Sequence, residues 1–305
     1  MDHFLSIKDC SADQLEELLE LGIDLKKLYK SGARDLCLEG KILAMLFEKP
    51  SLRTRMSFQT AMIDLGGQAV YVKTEEDAGG IGKREPVKDF ARVLTGYVDC
   101  IMARTYAHST VTGLAEWGDV PVINALTDFS HPCQAMADVL TALEVFDKLE
   151  GIKFAYIGDG NNVARSLANA CAKLGMELVI AAPPEHMLDE ESVQQANSIK
   201  ADSVSQCSDP FKAVEGANVI YTDTWVSMGQ ESEKQQRIKR FSGYQVNGSL
   251  LGKAPKDCRV MHCLPAYRGY EITDEVMESQ QSVIFQQAEN RLHFQRALIK
   301  YLLAR

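Results

Sequence analysis

Cys-x-x-Cys pairs are absent from this sequence, although it carries eight cysteines, at positions 10, 37, 100, 133, 171, 207, 258 and 263. Several sit in apolar runs such as Asp99-Cys100-Ile101-Met102 and Ala170-Cys171-Ala172, which points to buried thiols in a reducing compartment and against a disulfide framework. No Cys/His spacing suggests zinc. Also missing is an apolar stretch of the roughly 20 residues that a membrane span needs. The opening Met1-Asp2-His3-Phe4-Leu5 has no basic segment leading into an apolar run, so no signal peptide is expected and the expected compartment is the cytoplasm. Positive charge is in deficit: the net −9 argues against nucleic acid or an anionic membrane as the main partner. A few local arginines can still outweigh that field for a small anionic substrate. Low-complexity segments and repeats of solenoid period are lacking too.

What is there suits two domains. The chain has 305 residues, with 46% hydrophobic and 25% charged, which is about twice the ~150 residues of one soluble domain. A helix is expected near 11–30, opened by the capping box Ser11 and Gln14, with Leu15, Leu18, Leu19, Leu25 and Leu28 on one face. Apolar runs at 41–47, 69–73, 99–103 and 121–124 then alternate with helical patterns near 52–65, 87–97 and 109–117. That is βαβ repetition, hence α/β with a parallel sheet covered on both faces. A long helix near 133–147 ends at Glu150-Gly151, and the pattern restarts with strand 152–157, helix 161–174 and strand 176–182. Further strand-like pieces follow at 203–206, 217–221, 258–262 and 283–285. The boundary is placed near 148–151, giving domains 1–148 and 149–286, with the terminal segment 287–305 forming a helix long enough to pack back on the first domain. Sheets of this kind bind ligands beyond the carboxyl ends of their strands.

The loops there carry the chemistry. Pro50-Ser51-Leu52-Arg53-Thr54-Arg55 follows a strand and opens a helix, so free N–H groups, hydroxyls and guanidiniums converge on an anion, most naturally phosphate. A capped helix with two surface arginines explains it equally well. The next loop, after strand 99–103, carries Arg104-Thr105. In Ser130-His131-Pro132-Cys133-Gln134, His131 at a helix start has the means to donate to a carbonyl, and Gln134 to bond an amide; a plain capping His is the alternative. Gly158-Asp159-Gly160-Asn161-Asn162-Val163 hints at a dinucleotide fingerprint, but the bulky Val163 occupies the third glycine position and disfavours NAD. Asn162 is suited instead to a carboxylate. Asp223-Thr224-Trp225-Val226-Ser227-Met228-Gly229 combines a carboxylate and a hydroxyl suited to an ammonium group, against the reading of an ordinary polar loop. His262-Cys263-Leu264-Pro265 ends another strand, where alternation points the His and Cys to opposite faces and makes them a poor metal pair and a poor dyad.

Taken together these motifs resemble the aspartate/ornithine carbamoyltransferase family over essentially the whole chain. S-T-R-T-R of that family appears as Ser51 to Arg55, H-P-x-Q as His131 to Gln134, and G-D-x-N-N as Gly158 to Asn162. D-x-W-x-S-M-G at 223–229 and H-C-L-P at 262–265 mark its ornithine branch. The resemblance implies two doubly wound α/β domains, a homotrimer with active sites between subunits, and no metal or organic cofactor. It implies carbamoyl phosphate and L-ornithine as substrates, giving L-citrulline and phosphate, in arginine biosynthesis or the reverse. It places Ser51, Leu52, Arg53 and Thr54 on the phosphate; Arg104 and His131 on the carbonyl; and Gln134, with Pro132 and Cys133 beside it, on the carbamoyl amide. Cys263, Leu264 and Arg291 complete that pocket, with Arg53, Arg104, His131 and Cys263 the catalytic set. Asn162, Asp223, Ser227 and Met228 take ornithine.

Two departures bear on this. Leu52 stands where the signature has Thr, as in the branches that act on N-acetylornithine and N-succinylornithine, although those lack the Ser227-Met228-Gly229 type of loop. Gly80 stands where many ornithine enzymes have a Gln; by likeness to a lysine of the aspartate branch, the resemblance implies that Lys83 (or Arg84), in Gly79-Gly80-Ile81-Gly82-Lys83-Arg84-Glu85, reaches a neighbouring subunit's phosphate instead, against the plain reading of a solvated basic turn. The rival readings are a carbamoyltransferase for acylated ornithine, aspartate or putrescine, and a silent paralogue that only binds carbamoyl phosphate.

Overall fold

A strand buried on both faces needs an unbroken run of apolar side chains, which Ile42–Phe47 supplies and the half-exposed edge segment Gln68–Lys73 does not. Four strands build the first sheet. They are β1 (Ile42–Phe47), β2 (Gln68–Lys73), β3 (Cys100–Arg104) and β4 (Val122–Leu126), all parallel, in the order β2-β1-β3-β4. The structure, a computed structural model, describes residues 1–226 and 231–304. It divides into two units: residues 1–140 with the segment from Asn290 onward, and Thr141–Glu289.

In the first unit Ala44, Leu46, Ile101 and Ala103 pack under Ala91, Val111 and Leu114, which come from the helices Val87–Leu94 and His108–Trp117. Chain order reverses between β1 and β3, so their carboxyl ends diverge into a crevice. The helix Ala12–Lys30 starts at the expected capping box, with Ser11 and Gln14 exchanging bonds of 3.0 and 3.1 Å. The C-terminal helix, Ile284–Leu303, packs here from Asn290 on. Lys26 Nζ donates to Asn290 Oδ1 at 2.7 Å, the Phe294 ring meets Phe4 at a tilt with centroids 5.8 Å apart, and the buried Arg296 lies over the Tyr29 ring and reaches Asp64.

The second unit holds β5 (Lys153–Ile157), β6 (Glu177–Ala181), β7 (Val204–Cys207), β8 (Val219–Thr222) and β9 (Arg259–His262), parallel, in the order β7-β6-β5-β8-β9. Its reversal lies between β5 and β8. Both sheets therefore have the doubly wound arrangement.

The strand-like piece at 283–285 is corrected. Val283 N–H bonds the Val260 carbonyl at 3.0 Å, but the helix begins at Ile284, so the apolar triplet mostly forms its first turn. The helix Lys234–Phe241 has no visible apolar period because it buries only Arg237 and Phe241. Among the described residues no helix is long and apolar enough to cross a membrane.

Candidate functional site

The crevice of the first sheet collects charge. Ser51 caps the helix Leu52–Asp64: its Oγ accepts Thr54 N–H at 3.3 Å and donates to Thr54 Oγ1 at 3.0 Å. Such a cap contributes about 1 kcal/mol and fixes the helix start, whose remaining N–H groups suit an anion. The amides of Glu48 and Lys49 both point at the Arg104 carbonyl, at 2.9 and 3.5 Å, which ties the loop after β1 to the end of β3. Arg291 from the C-terminal helix is buried and bidentate in a different sense: Nη2 donates to Thr54 Oγ1 at 2.9 Å and Nη1 to Gln134 Oε1 at 3.1 Å. Gln134 Nε2 in turn donates to the buried Asp138 at 2.8 Å, so the amide is oriented from both ends.

His131 lies just before the helix Pro132–Phe146 and is 4% exposed. Burial, then the charges of Arg291, Arg104 and Lys49, hold its pKa well below the usual imidazole range. A neutral ring keeps one N–H to donate and carries no charge into an already cationic site. Arg53 is exposed, and Leu52 is 75% exposed, so what Leu52 offers an anion is its backbone N–H. Cys133 is inert: burial pushes its thiol up to about 12, and the thiol donates to the Asn124 carbonyl at 3.5 Å. Lys49 was not foreseen. It is buried, pairs with Asp128 and sits 4.3 Å over the Tyr106 ring, and it feeds the field at His131. The one trace of it in the sequence is a lysine placed two residues after an apolar strand.

Lys83 is 63% exposed and pairs with Glu75 of its own chain at 2.6 Å. Gly79, Gly80 and Gly82 all have positive φ, and a Cβ at Gly80 would meet the Lys83 side chain at 2.6 Å. Glycine is what lets this loop fold back on itself.

In the second unit the loops after β5 and β8 meet at Asp223, which is 7% exposed. Its Oδ2 accepts Asn161 Nδ2 at 2.8 Å, and its Oδ1 accepts Thr224 N–H and the Cys263 thiol, both at 2.7 Å. Asn161 also caps the helix Asn162–Lys173, accepting N–H bonds from Val163 and Ala164. Asn162 is the first helical residue, half-buried beside this cap. Gly160 of this loop has a packing role, since a Cβ on it would sit 2.1 Å from Leu188 N. Arg237 fastens both loops: Nε donates to the Trp225 carbonyl and Nη2 to Asp159, each at 2.5 Å, while His186 Nδ1 lies 3.3 Å from the same carboxylate. Burial raises the Asp159 carboxyl, against the pull of Arg237 and His186. Nothing in the sequence marks Arg237 or Asn161 for these tasks. Ser227 and Met228, with Gly229, lie outside the described residues.

The expectation that His262 and Cys263 diverge is also corrected. β9 ends at His262, so strand alternation no longer governs Cys263, and Asp223, His262 and Cys263 bring one ligand atom each within 4.8 Å of one another. Both imidazole nitrogens are engaged, however: Nδ1 accepts Leu264 N–H at 2.8 Å and Nε2 faces Glu271 at 3.1 Å. A metal ion taking His262 would have to displace one of these bonds. Leu264 itself has φ 54°, a conformation that its bond to His262 helps to hold.

Residues 2–144 match the carbamoyl-P binding domain of the aspartate/ornithine carbamoyltransferases, and residues 150–302 match the Asp/Orn binding domain. The chain belongs to the aspartate/ornithine carbamoyltransferase family. It is 48% identical over 303 residues to the ornithine carbamoyltransferase of Anoxybacillus flavithermus, covering 98% of this chain and 96% of that one. The ornithine carbamoyltransferase of Methanosarcina mazei is 49% identical over 299 residues, with 98% of each covered. The solved ornithine carbamoyltransferase from Pyrococcus furiosus superposes with a TM-score of 0.95 at 47% identity, covering 99% of this chain and 96% of that one. Ser51, Arg104, His131 and Gln134 fall in the first matched domain, and Asn162, Asp223, Cys263 and Arg291 in the second. By its contacts Arg291 nonetheless belongs to the first unit.

Proposed function

We propose that the protein transfers the carbamoyl group of carbamoyl phosphate to the side-chain amine of L-ornithine, giving L-citrulline and phosphate. The observation that carries this reading is Asp223: a buried carboxylate, held by three donors at the mouth of β8, in the stretch shared with the ornithine branch. A carboxylate has about four acceptor positions, so one is left for an ammonium group. An acylated ornithine has no such group and would leave it unused.

In this reading Ser51, Arg53, Thr54 and the Leu52 N–H hold the phosphate of carbamoyl phosphate. Arg104 and neutral His131 donate to the carbonyl oxygen as negative charge develops there, and Gln134 accepts from the carbamoyl amide. Arg291 acts through Thr54 and Gln134. Asn162, Asp223, Ser227 and Met228 bind the α-amino and α-carboxyl groups of ornithine, leaving its side-chain amine to attack. That amine has an ordinary pKa of about 10.4 as in lysine, so it reacts as the minority neutral form, which a cationic surrounding favours. Its lone pair forms the new C–N bond, the C–O bond to phosphate breaks with its electron pair going to phosphate, and the surplus proton on nitrogen passes to the departing phosphate. Cys263 shapes the acceptor end and forms no covalent bond.

The working assembly is a homotrimer. Leu52, Met56 and Ile63 are exposed along one stripe of the Leu52–Asp64 helix, which supports burial against a second copy. The proposed compartment is the cytoplasm, consistent with eight free thiols. The proposed place is arginine biosynthesis or its reverse. Incubation of the purified protein with both substrates tests the reading: citrulline should form only when carbamoyl phosphate and ornithine are both present. A protein that binds carbamoyl phosphate yet forms no citrulline is the silent paralogue.

A further inference from the structure

Gln134 and Asp138 stand one turn apart on the helix Pro132–Phe146, and every residue from Ser130 to Ala142 is buried. Asp138 is the only carboxylate in that stretch; it is 0% exposed, and Gln134 is 1% exposed. On a solvated helix face, an i,i+4 pair of this kind would be a small local contribution. Here a charged group has been taken out of water, which is unfavourable unless its bonds are well placed. One of those bonds is to the Gln134 amide, whose Nε2 donates to Asp138 Oδ1 at 2.8 Å. Arg291 Nη1 donates to Oε1 of the same amide at 3.1 Å.

These two partners leave the amide one orientation. A carboxylate only accepts hydrogen bonds and a guanidinium only donates them. Turning the amide over would set Oε1 against the carboxylate and the NH2 group against the guanidinium, two repulsions in place of two bonds. A neutral group at position 138, able both to donate and to accept, would tolerate either face. A carbonyl oxygen has two acceptor positions, and Arg291 takes one at Gln134 Oε1. The other is left for a donor on a ligand.

We propose that Asp138 is a positioning residue that makes the pocket select carbamoyl phosphate from other acyl phosphates, by keeping the Gln134 oxygen, and never its NH2 group, toward the acyl substituent. This rests on the reading above in which Gln134 meets the carbamoyl amide. The carbamoyl NH2 supplies the donor that the oxygen needs. The methyl group of acetyl phosphate is of similar size and supplies none, so it leaves a buried acceptor unpaired. The phosphate contacts are common to both ligands and cannot tell them apart. Asp138 acts only through Gln134, and its negative charge is what excludes the reversed amide.

The test uses phosphonoacetamide and acetonylphosphonate, unreactive phosphonates that differ only in an NH2 or a CH3 beside the carbonyl. Each is titrated into the full chain by calorimetry with no acceptor amine present. The native protein should bind the amide at least about tenfold more tightly than the ketone. Asp138→Asn should narrow that ratio about fivefold by weakening the amide alone, because a charged bond becomes a neutral one that either end of Gln134 satisfies. Asp138→Ser should narrow it likewise, and it decides if the first variant fails to fold. A ratio near one in the native protein overturns the proposal. So does an unchanged ratio in a folded variant, including equal weakening of both probes, which would give Asp138 a purely structural role. If neither probe binds the native protein, the carbamoyl phosphate reading falls and the proposal with it. The expected ratios without citrulline formation support the proposal and leave only the acceptor reading to fail.

Discussion

The Cys263 thiol donates a hydrogen bond to Oδ1 of Asp223 at 2.7 Å, joining the ends of β8 and β9 through their side chains. A sulfur engaged this way is protonated and is a poor nucleophile. Its service to the carboxylate is positional: it occupies one acceptor position and leaves another pointing elsewhere.

Replacement of either partner should therefore act on the acceptor. Asp223→Asn removes the charge proposed to meet the ornithine ammonium, a charge-assisted bond of roughly 1.5–3 kcal/mol, so ornithine binding should weaken about tenfold or more. Cys263→Ser keeps a donor and should retain turnover with altered ornithine affinity. Carbamoyl phosphate affinity should barely move in either variant. Steady-state kinetics with each substrate varied will show this; equal weakening of both substrates, or a carbamoylated Cys263 found by mass spectrometry, contradicts it.

His131 makes a signed prediction for stability. Burial and the charges of Arg291, Arg104 and Lys49 depress its pKa in the folded protein, while a histidine in the unfolded chain titrates near 6.5. Below that pH the unfolded chain takes up a proton that the folded one refuses. Stability contributed by the neutral ring is thus complete above about pH 6.5 and is lost as pH falls from there toward the folded value, at up to about 1.4 kcal/mol per pH unit. Urea unfolding of the native protein and of His131→Gln between about pH 7 and pH 5 should differ in slope by this one proton. Identical slopes would mean that His131 is charged in the fold.

Local signals were legible and distant ones were not. The capping box at Ser11 and the N-cap at Ser51 each lie within four residues of chain, and parallel strands such as Ile42–Phe47 read directly as apolar runs. Lys49, Arg237 and Asn161 matter through partners that only the fold supplies: Arg237 meets Asp159 across 78 residues of sequence. Asn161 rather than Asn162 bonds Asp223 because the helix starts one residue after it, a register that a doubled asparagine leaves open. The run at 283–285 was ambiguous for the ordinary reason that a short apolar triplet fits a strand or a first helical turn equally well. His262 and Cys263 escaped because alternation was applied one residue past the strand's end.

The loop at Gly79–Gly82 carries a prediction about the assembly. Lys83 is held by Glu75 in its own chain, but both side chains are exposed, and solvent screening makes such a pair easy to open. Its proposed task is to reach the phosphate of a neighbouring subunit. Arg53→Ala and Lys83→Ala should each be nearly inactive alone. Unfolded, mixed and refolded together, they should recover activity, because some mixed trimers place a native Arg53 beside a native Lys83. Mixed trimers without activity, or a Lys83→Ala enzyme of normal activity, would remove Lys83 from the site.

The central claim is that the acceptor is ornithine, and the measurement that tests it most directly is kcat/KM for ornithine, N-acetylornithine, putrescine and aspartate side by side at saturating carbamoyl phosphate. In the proposed role Asp223 takes a free α-ammonium, so ornithine should exceed N-acetylornithine and putrescine by at least the roughly tenfold that one charge-assisted bond supplies, and Asp223→Asn should narrow that gap. A preference for N-acetylornithine or putrescine, unchanged in Asp223→Asn, would contradict the account.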